Sequence, residues 1–396
     1  MARIIEMDRA TNPQASADLG NILQWLTEHE REMVACVREV VVRESPTHDK
    51  QACDALSSYL AVEFERLEGR VKVHREDVAG DHLQVDFHSD QPRAPVLLLG
   101  HLDTVYDAGT IASMPWREEN GYLFGPGVFD MKSGIVQVIF ALAALREVQR
   151  DLPRPVKVLL VSDEEAGSNS SRAITEALAR QSAAVLVCEP SGPGGALKTA
   201  RKGVGAFALR VTGQASHAGL DFEKGQSAIL ELAHQILAVS RLTDVKRGTT
   251  VNVGVVRGGT RSNVVAAEAV AEVDLRIAHK ADGAIMERRI RGLRPVNKKC
   301  TLQIEGGINR PPLERTKKVA ALFELARKVA GDLGFSLDEV AVGGGSDGNF
   351  TAGIGVPTLD GLGPVGEGAH APHESVVADE LPRRAALLAG LIAAIE

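Results

Sequence analysis

Three short apolar runs in this sequence each end in side chains that commonly bind metal ions. The runs lie at 96–99, 156–161 and 184–188. The polar residues that follow them are His101, Asp103, Asp163, Glu164, Glu165 and Glu189. Short runs of Val and Leu predict strands buried on both faces, whose carboxyl ends meet at one ligand-binding edge of a parallel sheet. Because so many carboxylates would otherwise repel one another, we expect a bound cation at that edge.

The length and composition of the chain favour a two-domain protein that binds neither nucleic acid nor a membrane. It has 396 residues, of which 44% are hydrophobic. The net charge is −7 and no long basic run occurs, which argues against a nucleic-acid partner. Apolar stretches such as 385–395 are too short to span a bilayer. The first twenty residues lack an apolar core, so we expect no secretory signal and a cytoplasmic location.

Hydrophobic periodicity divides the chain into three parts. Strands alternate with helices over 1–199, where a helix is predicted at 17–42, and this alternation predicts a doubly wound α/β domain. The order β-α-β-β-α-β predicted over 200–309 is the ferredoxin-like arrangement. Helix–strand alternation resumes over 310–396. We therefore expect one α/β domain in two parts, interrupted by a smaller inserted domain.

Two candidate metal ligands lie outside the three strand ends. Asp130 stands in a Gly-Pro-Gly turn before a predicted helix, whose N-terminus would favour its negative charge. A carboxylate in that position could bridge two ions. His370 is the last candidate, and His373 is its nearest competitor. Carboxylate oxygens and neutral imidazoles suit zinc and other divalent cations.

Adjacent acidic residues at the second strand end favour two different roles. Glu164 and Glu165 cannot easily serve one ion in the same way, so we interpret one as a ligand and the other as a general base. At the first strand end, Asp103 could accept the second ring N–H of His101 and fix its tautomer.

Four motifs resemble those of the M20 family of dinuclear zinc peptidases, most closely its glutamate carboxypeptidase branch. They are GHLDTV at 100–105, GPGVFDMK at 125–132, DEEAGS at 163–168 and CEP at 188–190. The resemblance extends over nearly the whole chain from about residue 30. It implies a zinc-exopeptidase-like catalytic domain. It also implies that the inserted domain is a lid and a dimerisation surface, so that the protein is a homodimer.

The resemblance implies two divalent metal ions and assigns their ligands. Asp130 would bridge the ions, His101 and Glu189 would complete one of them, and Glu165 and His370 the other. Zinc is the expected metal, and cobalt and manganese also suit these ligands.

The same resemblance implies roles for residues beside the metals. Glu164 would be the catalytic base and Asp103 the hydrogen-bonding partner of His101. Phe129 stands where the family often has a small residue, which would narrow the site.

Residues of the inserted domain acquire functional roles only through the resemblance. His217 would stabilise the oxyanion in the partner subunit's site, and Asn263 would assist it. Arg276 would pair with a substrate carboxylate, for which a guanidinium is suited. Gly345 lies in a glycine-rich loop that would let backbone approach the substrate. Without the family resemblance, we would interpret His217 as a surface histidine, Asn263 as a turn former and Arg276 as a surface arginine.

The expected function is a two-metal hydrolase that cleaves an amide bond next to a free carboxylate in a small molecule or short peptide. A glutamate-carboxypeptidase-like exopeptidase is favoured, and an N-acyl-amino-acid deacylase stays open. A serine hydrolase is a remote alternative: Ser346 has nucleophile-elbow spacing, with Asp360 and His370 following. No helical pattern follows Ser346, however, and the acids at the strand ends would stay unexplained. A non-catalytic binding module is disfavoured because the candidate base Glu164 is present.

Overall fold

The computed structural model describes residues 13–149 and 152–396, and the chain divides into two compact units. The first unit contains Met1–Thr199, Thr316–Val340 and Val356–Glu396, and the second contains Ala200–Arg315 and Ala341–Gly355. Most of the segment in which the sequence predicted no secretory signal lies outside the described residues.

The described helices and strands alternate over much of the chain. The helices are α1 (Pro13–Glu28), α2 (Glu30–Val41), α3 (Lys50–Arg66), α4 (Ser133–Glu147), α5 (Arg172–Gln181), α6 (Ala228–Ser240), α7 (Lys280–Arg291), α8 (Lys317–Asp332), α9 (Gly348–Gly353) and α10 (Glu380–Ala394). The strands are β1 (Arg70–His74), β2 (His82–Phe87), β3 (Val96–His101), β4 (Arg117–Glu119), β5 (Tyr122–Phe124), β6 (Val156–Val161), β7 (Ala184–Val187), β8 (Leu197–Arg201), β9 (Gly203–Thr212), β10 (Thr250–Gly258), β11 (Glu268–Ile277), β12 (Thr301–Arg310), β13 (Glu339–Val342), β14 (Thr358–Leu359), β15 (Gly366–Glu367) and β16 (Ser375–Val377).

The central sheet of the first unit has six strands in the order β1-β2-β6-β3-β7-β14. The four strands β6, β3, β7 and β14 run parallel, whereas β1 and β2 join at one side in antiparallel pairing. The three strands that carry the metal-binding motifs are direct neighbours, and His101 is in register with Val161. Their carboxyl ends therefore meet at one edge, as the apolar runs predicted.

Helix α4 forms much of the core of the first unit. It packs against α1, α2 and α10 and contacts β3, and nearly every side of it is buried. Among the described residues, the stretch Val128–Glu147, which contains α4 and the turn before it, is by length and composition apolar enough to cross a membrane, but 83% of its apolar window is buried. A helix that is apolar on all sides and enclosed by its own domain is a core helix. The expectation that no apolar stretch reaches membrane-spanning length was therefore wrong for this one.

A second sheet in the first unit, in the order β15-β16-β5-β4, was not predicted. Its strands are only two or three residues long, too short for an alternating pattern to be recognised in the sequence. It pairs Ser375 of β16 with Phe124 of β5. The loop that contains Asp130 follows β5, and the loop that contains His370 precedes β16. This pairing explains how two segments far apart in sequence reach the same place.

The second unit has the predicted β-α-β-β-α-β order, formed by β9, α6, β10, β11, α7 and β12. Its antiparallel sheet has the strand order β10-β11-β9-β12. Alternate residues of β11, from Ala269 to Ile277, are buried in a hydrophobic core with side chains of α6 and α7. This topology is the ferredoxin-like arrangement.

The segment 341–355 departs from the predicted domain limits. It was predicted to belong to the catalytic domain with the rest of 310–396, but it is part of the second unit. The side-chain amide of Asn349 donates to the carbonyls of Lys202 and Pro311, at 3.0 and 2.8 Å. Arg310 and Asp347 form a buried ion pair at 3.0 Å. These contacts attach the segment to the carboxyl end of β12.

The helix predicted at 17–42 is divided in two by His29. The ring of His29 stacks on Trp25 with centroids 3.9 Å apart, and its Nδ1 lies 2.7 Å from the Trp25 carbonyl oxygen. Because apolar residues keep a helical spacing on both sides of this break, the pattern alone did not reveal it.

Candidate metal centre

The imidazole of His101 lies at the carboxyl end of β3 and is buried, with 1% exposure. Its Nε2 is 3.1 Å from Asp130 Oδ1 and 3.4 Å from Glu189 Oε1. One imidazole nitrogen therefore faces two carboxylates, which come from the loop before α4 and from the segment after β7.

The other ring nitrogen of His101 is held by Asp103, through its backbone more closely than through its carboxylate. Nδ1 lies 3.0 Å from the Asp103 carbonyl oxygen and 3.4 Å from Oδ1 of the carboxylate. A donating Nδ1–H leaves Nε2 as the nitrogen available to a metal. The Asp103 carboxylate accepts bonds from the backbone N–H groups of Glu164 and Glu165, at 3.3 and 3.2 Å, and from Thr47 Oγ1 at 2.8 Å. Asp103 thus connects the ends of β3 and β6.

His370 approaches the cluster from the loop between β15 and β16. Its Nε2 lies 3.2 Å from Glu165 Oε1 and 3.5 Å from Asp130 Oδ2. Asp130 consequently directs one carboxylate oxygen towards each histidine. The competitor His373 is exposed, and its ring lies beside Gly368.

Two overlapping groups in the described part of the chain could each hold an ion. They are His101, Asp130 and Glu165, and His101, Glu164 and Glu189, with the potential ligand atoms of each group within 4.8 Å of one another. Imidazole and carboxylate form a donor set suited to zinc and to harder divalent cations. The structure thus brings together all five predicted ligands and Glu164.

The charges in this cluster perturb one another strongly. Burial opposes the charged form of His101, but hydrogen bonds to Asp103, Asp130 and Glu189 outweigh it and hold its pKa well above the usual value. Hydrogen bonds to Asp130 and Glu165 raise the pKa of His370 to about 10. Burial raises the pKa of Glu165. Protonated imidazoles thus balance the carboxylates, and the same negative charge would favour divalent cations in place of those protons.

Glu374, which was not among the predicted site residues, is hydrogen-bonded to the loop that contains Asp130. It is fully buried and accepts hydrogen bonds from the backbone N–H groups of Gly127, Phe129 and Asp130. The hydroxyl of Tyr106 donates to it at 2.7 Å. No sequence pattern identified it, because its partners are about 250 residues away along the chain.

Other side chains fix the turns that carry the candidate ligands. Buried Lys132 donates to the carbonyl of Arg43 at 2.8 Å, and burial lowers its pKa to about 7. Asp163 accepts bonds from the backbone N–H and the hydroxyl of Ser170, both at 2.8 Å, which steadies the turn of the two glutamates. Phe129 is only 7% exposed and belongs to the hydrophobic core of the first unit.

Two of the four candidates that lie in the second unit, His217 and Asn263, are neighbours there. The N–H of Ala218 donates to the carbonyl of Asn263, which places His217 beside that turn. Nδ1 of His217 accepts bonds from the N–H groups of Gly219 and Leu220, both at 3.1 Å. A ring whose Nδ1 is an acceptor carries its proton on Nε2, so exposed His217 presents an N–H donor.

The other two candidates of the second unit lie on β11 and in the segment after β13. Arg276 is engaged in a bidentate ion pair with Asp274, with both closest N–O distances at 2.9 Å. Gly345 packs closely, since an added Cβ would lie 3.0 Å from Val204 and 3.1 Å from Arg310.

The arrangement around Ser346 does not match a serine nucleophile. A short helix, α9, does follow this residue, contrary to the expectation from its glycines. Ser346 is nevertheless fully buried, and its Oγ accepts a hydrogen bond from the N–H of Gly348. His370, the presumed base, faces Asp130 and Glu165 instead.

Comparison with known proteins identifies the family to which the chain belongs. The family model described as peptidase family M20/M25/M40 matches residues 97–394. The chain is 28% identical to carboxypeptidase G2 of Pseudomonas sp. (strain RS-16) over 381 residues, which cover 94% of this chain and 91% of that protein.

Two solved structures share the fold at low sequence identity. An M20 family metallo-carboxypeptidase from Sulfolobus solfataricus superposes with a TM-score of 0.72 at 16% identity, covering 92% of this chain and 99% of that one. The YXEP protein of Bacillus subtilis, described as a dinuclear metal binding peptidase, gives 0.67 at 14% identity and covers 92% and 98%. The family resemblance and the α/β fold class predicted from the sequence are thus confirmed. The chain belongs to peptidase family M20/M25/M40 and is a metal-dependent hydrolase.

Proposed function

We propose that this protein is a two-metal carboxypeptidase-like hydrolase, which cleaves an amide bond next to a free carboxylate. The observation that carries the proposal is the position of Asp130, which directs one oxygen to His101 and the other to His370. Glu189 lies beside the first histidine and Glu165 beside the second, so each has its own carboxylate. The similarity to carboxypeptidase G2 supports the choice of bond.

The chemistry assigned to the chain's own residues is proton transfer and orientation. Divalent ions bound here would lower the pKa of a water molecule towards neutrality and polarise the substrate carbonyl. Glu164 accepts the proton of the attacking water on a carboxylate oxygen and then donates it to the leaving nitrogen. Asp103 holds the backbone of Glu164 and also fixes the ring of His101. It therefore orients both a ligand and the base.

Several finer assignments remain part of the proposal. Zinc is proposed as the metal, and a homodimer as the assembly. We propose that His217 donates its Nε2–H to the oxyanion that develops in the partner subunit's site, with Asn263 beside it, and that the backbone at Gly345 lies close to the substrate. A cytoplasmic location stays a prediction from the sequence.

Removal of metal is expected to abolish activity reversibly. Protein dialysed against a chelator such as phenanthroline should lose hydrolysis of N-acyl glutamates and dipeptides, and zinc, cobalt or manganese should restore it. Elemental analysis should find two ions per chain in the active form. The physical reason is that the ligands bind the cations, and only bound cations hold and activate the attacking water.

The same preparation distinguishes the substrate classes. Faster hydrolysis of dipeptides favours the exopeptidase, and faster hydrolysis of simple N-acyl amino acids favours the deacylase. Full activity in protein without transition metal would contradict the two-metal proposal in either form.

Replacing Arg276 by lysine is expected to raise KM for carboxylate substrates by about tenfold or more and to change kcat little. We propose that Arg276 pairs with the free carboxylate of the substrate. Lysine keeps the charge but loses the two-pronged contact that a guanidinium can make with that carboxylate, and a tenfold change corresponds to about 1.4 kcal/mol. Steady-state kinetics test this expectation. Arg257→Lys is the matched control, because Arg257 lies on the neighbouring strand β10 and its closest ion pair, with Glu272, is long at 3.5 Å. An unchanged KM in Arg276→Lys would remove Arg276 from the substrate site.

A further inference from the structure

Glu374 differs from the candidate ligands because its carboxylate is saturated by the protein itself. Oε1 accepts from the N–H groups of Phe129 and Asp130, both at 2.8 Å. Oε2 accepts from the N–H of Gly127 at 2.9 Å and from the Tyr106 hydroxyl at 2.7 Å. The side chain has no measurable exposure. Burying a carboxylate is costly unless hydrogen bonds compensate it, so an arrangement of four donors fixes the acceptor closely.

The bonds of Glu374 connect the two loops that supply the shared carboxylate and the second histidine. Glu374 lies four residues after His370 and directly before β16, so both residues belong to the loop between β15 and β16. Three of its four donors are backbone N–H groups of the loop that contains Asp130, and one of these three is the N–H of Asp130 itself. Tyr106 reinforces the connection, because its hydroxyl also lies 3.1 Å from the carbonyl oxygen of Ala371.

A local structural role alone does not account for this arrangement. A carboxylate that only stabilised one loop would need partners within that loop. Glu374 instead joins residues 127–130 to residues 370–374 and thereby limits how far Asp130 can move from His370. The Nε2 of His370 lies 3.5 Å from Asp130 Oδ2 in the structure. A site that shares one carboxylate between two ions depends on that separation.

We propose that Glu374 is a positioning residue that sets the affinity of the metal centre by holding Asp130 and His370 in register, with Tyr106 as its auxiliary anchor. This inference rests on the proposed two-metal function. Glu374 reaches the ions only through the backbone of Asp130 and the loop of His370.

Glu374→Gln is expected to weaken zinc binding by about 10–100-fold, the range typical of residues that orient metal ligands. A glutamine has one acceptor oxygen, and its NH₂ group would face N–H or O–H donors on the other side. The Asp130 loop would lose part of its anchorage. Titration of the metal-free protein with zinc against a chromophoric chelator measures the dissociation constants. At saturating zinc, KM should stay near the wild-type value, because the substrate contacts are not altered.

Glu231→Gln is the matched control. Glu231 is also buried, at 1% exposure, and accepts bonds from the N–H groups of Val296 and Asn297 and from the side chain of Gln235. It lies in the second unit and contacts no candidate ligand in the described structure. Its variant should have a lower free energy of unfolding but unchanged zinc affinity. If Glu374 had only a structural role, Glu374→Gln would likewise lower the free energy of unfolding and leave the zinc affinity unchanged.

Tyr106→Phe provides a graded second variant if Glu374→Gln fails to fold. It removes one of the four donors and leaves the carboxylate in place, so a smaller loss of zinc affinity, about severalfold, is expected. If Glu374→Gln and Tyr106→Phe, or the one of them that folds, bind zinc as tightly as the wild type, the inference is overturned and the proposed two-metal function stays intact. A wild-type protein that binds no zinc, cobalt or manganese would overturn the proposed function, and this inference with it.

Discussion

Replacing Glu164 by glutamine is expected to lower kcat by about 10²–10⁴-fold and to leave the metal content at the wild-type level. Glutamine occupies nearly the same volume, but its amide cannot accept the proton of the attacking water. Glu164 is held in place through its backbone N–H, which donates to Asp103 at 3.3 Å and is unaffected by the substitution. The expected change therefore falls on proton transfer. Steady-state kinetics together with elemental analysis of the same preparation test it.

The neighbouring glutamate supplies the most informative comparison. Glu165 Oε1 faces His370 at 3.2 Å, so Glu165→Gln should lose metal and activity together, whereas Glu164→Gln should lose activity alone. Glu176→Gln is a neutral control, since this side chain pairs only with Arg172 and Arg180 among the described ion pairs on α5. Near-normal kcat in Glu164→Gln would show that another group is the base. Loss of metal in that variant would mean that Glu164 is a ligand, as its place in the group with His101 and Glu189 allows.

The sequence was most informative where a local pattern determines position. The runs that became β3, β6 and β7 predicted buried parallel strands whose carboxyl ends share one edge of a sheet, and His101 at the end of β3 lies at that edge. The period of apolar residues is a property of a few consecutive residues, so it can be read without knowledge of the rest of the chain. The order of elements in the second unit was readable for the same reason.

Contacts between distant segments could not be read in this way. Glu374 is a single glutamate in a loop, and its four donors lie 244 to 268 residues before it. The segment 341–355 shows no feature that reveals which core it joins, because that choice depends on Asn349 meeting the carbonyls of Lys202 and Pro311. The use of the Asp103 carbonyl to bind His101 was also hidden, because backbone groups leave no trace in the residue types.

Replacing Asp130 by asparagine is expected to impair both ions at once and to reduce activity more than any other single change in the cluster. Asp130 is the one carboxylate among the described residues that is paired with both His101 and His370, at 3.1 and 3.5 Å. Hydrogen bonds to these imidazoles hold its pKa well below the usual range despite its burial, so it is ionised at neutral pH. An amide at this position would remove the negative charge between two dications and offer only one acceptor oxygen.

This loss should be visible in stability as well as in rate. A ligand that binds only the folded state stabilises it, by about 4 kcal/mol at 1,000 times its Kd. Zinc should therefore raise the unfolding midpoint in urea of the wild-type protein strongly and that of Asp130→Asn little, with metal-free protein of each as the reference. Asp86→Asn is the matched control, because Asp86 on β2 pairs with Lys157 at 2.6 Å and lies outside the metal cluster. Its metal-free form should be less stable, yet its gain from zinc should equal that of the wild type. If Asp130→Asn bound two ions and gained as much stability from zinc as the wild type, Asp130 could not be the carboxylate shared by both ions, and the ligand assignment would have to be redrawn around Glu165 and Glu189.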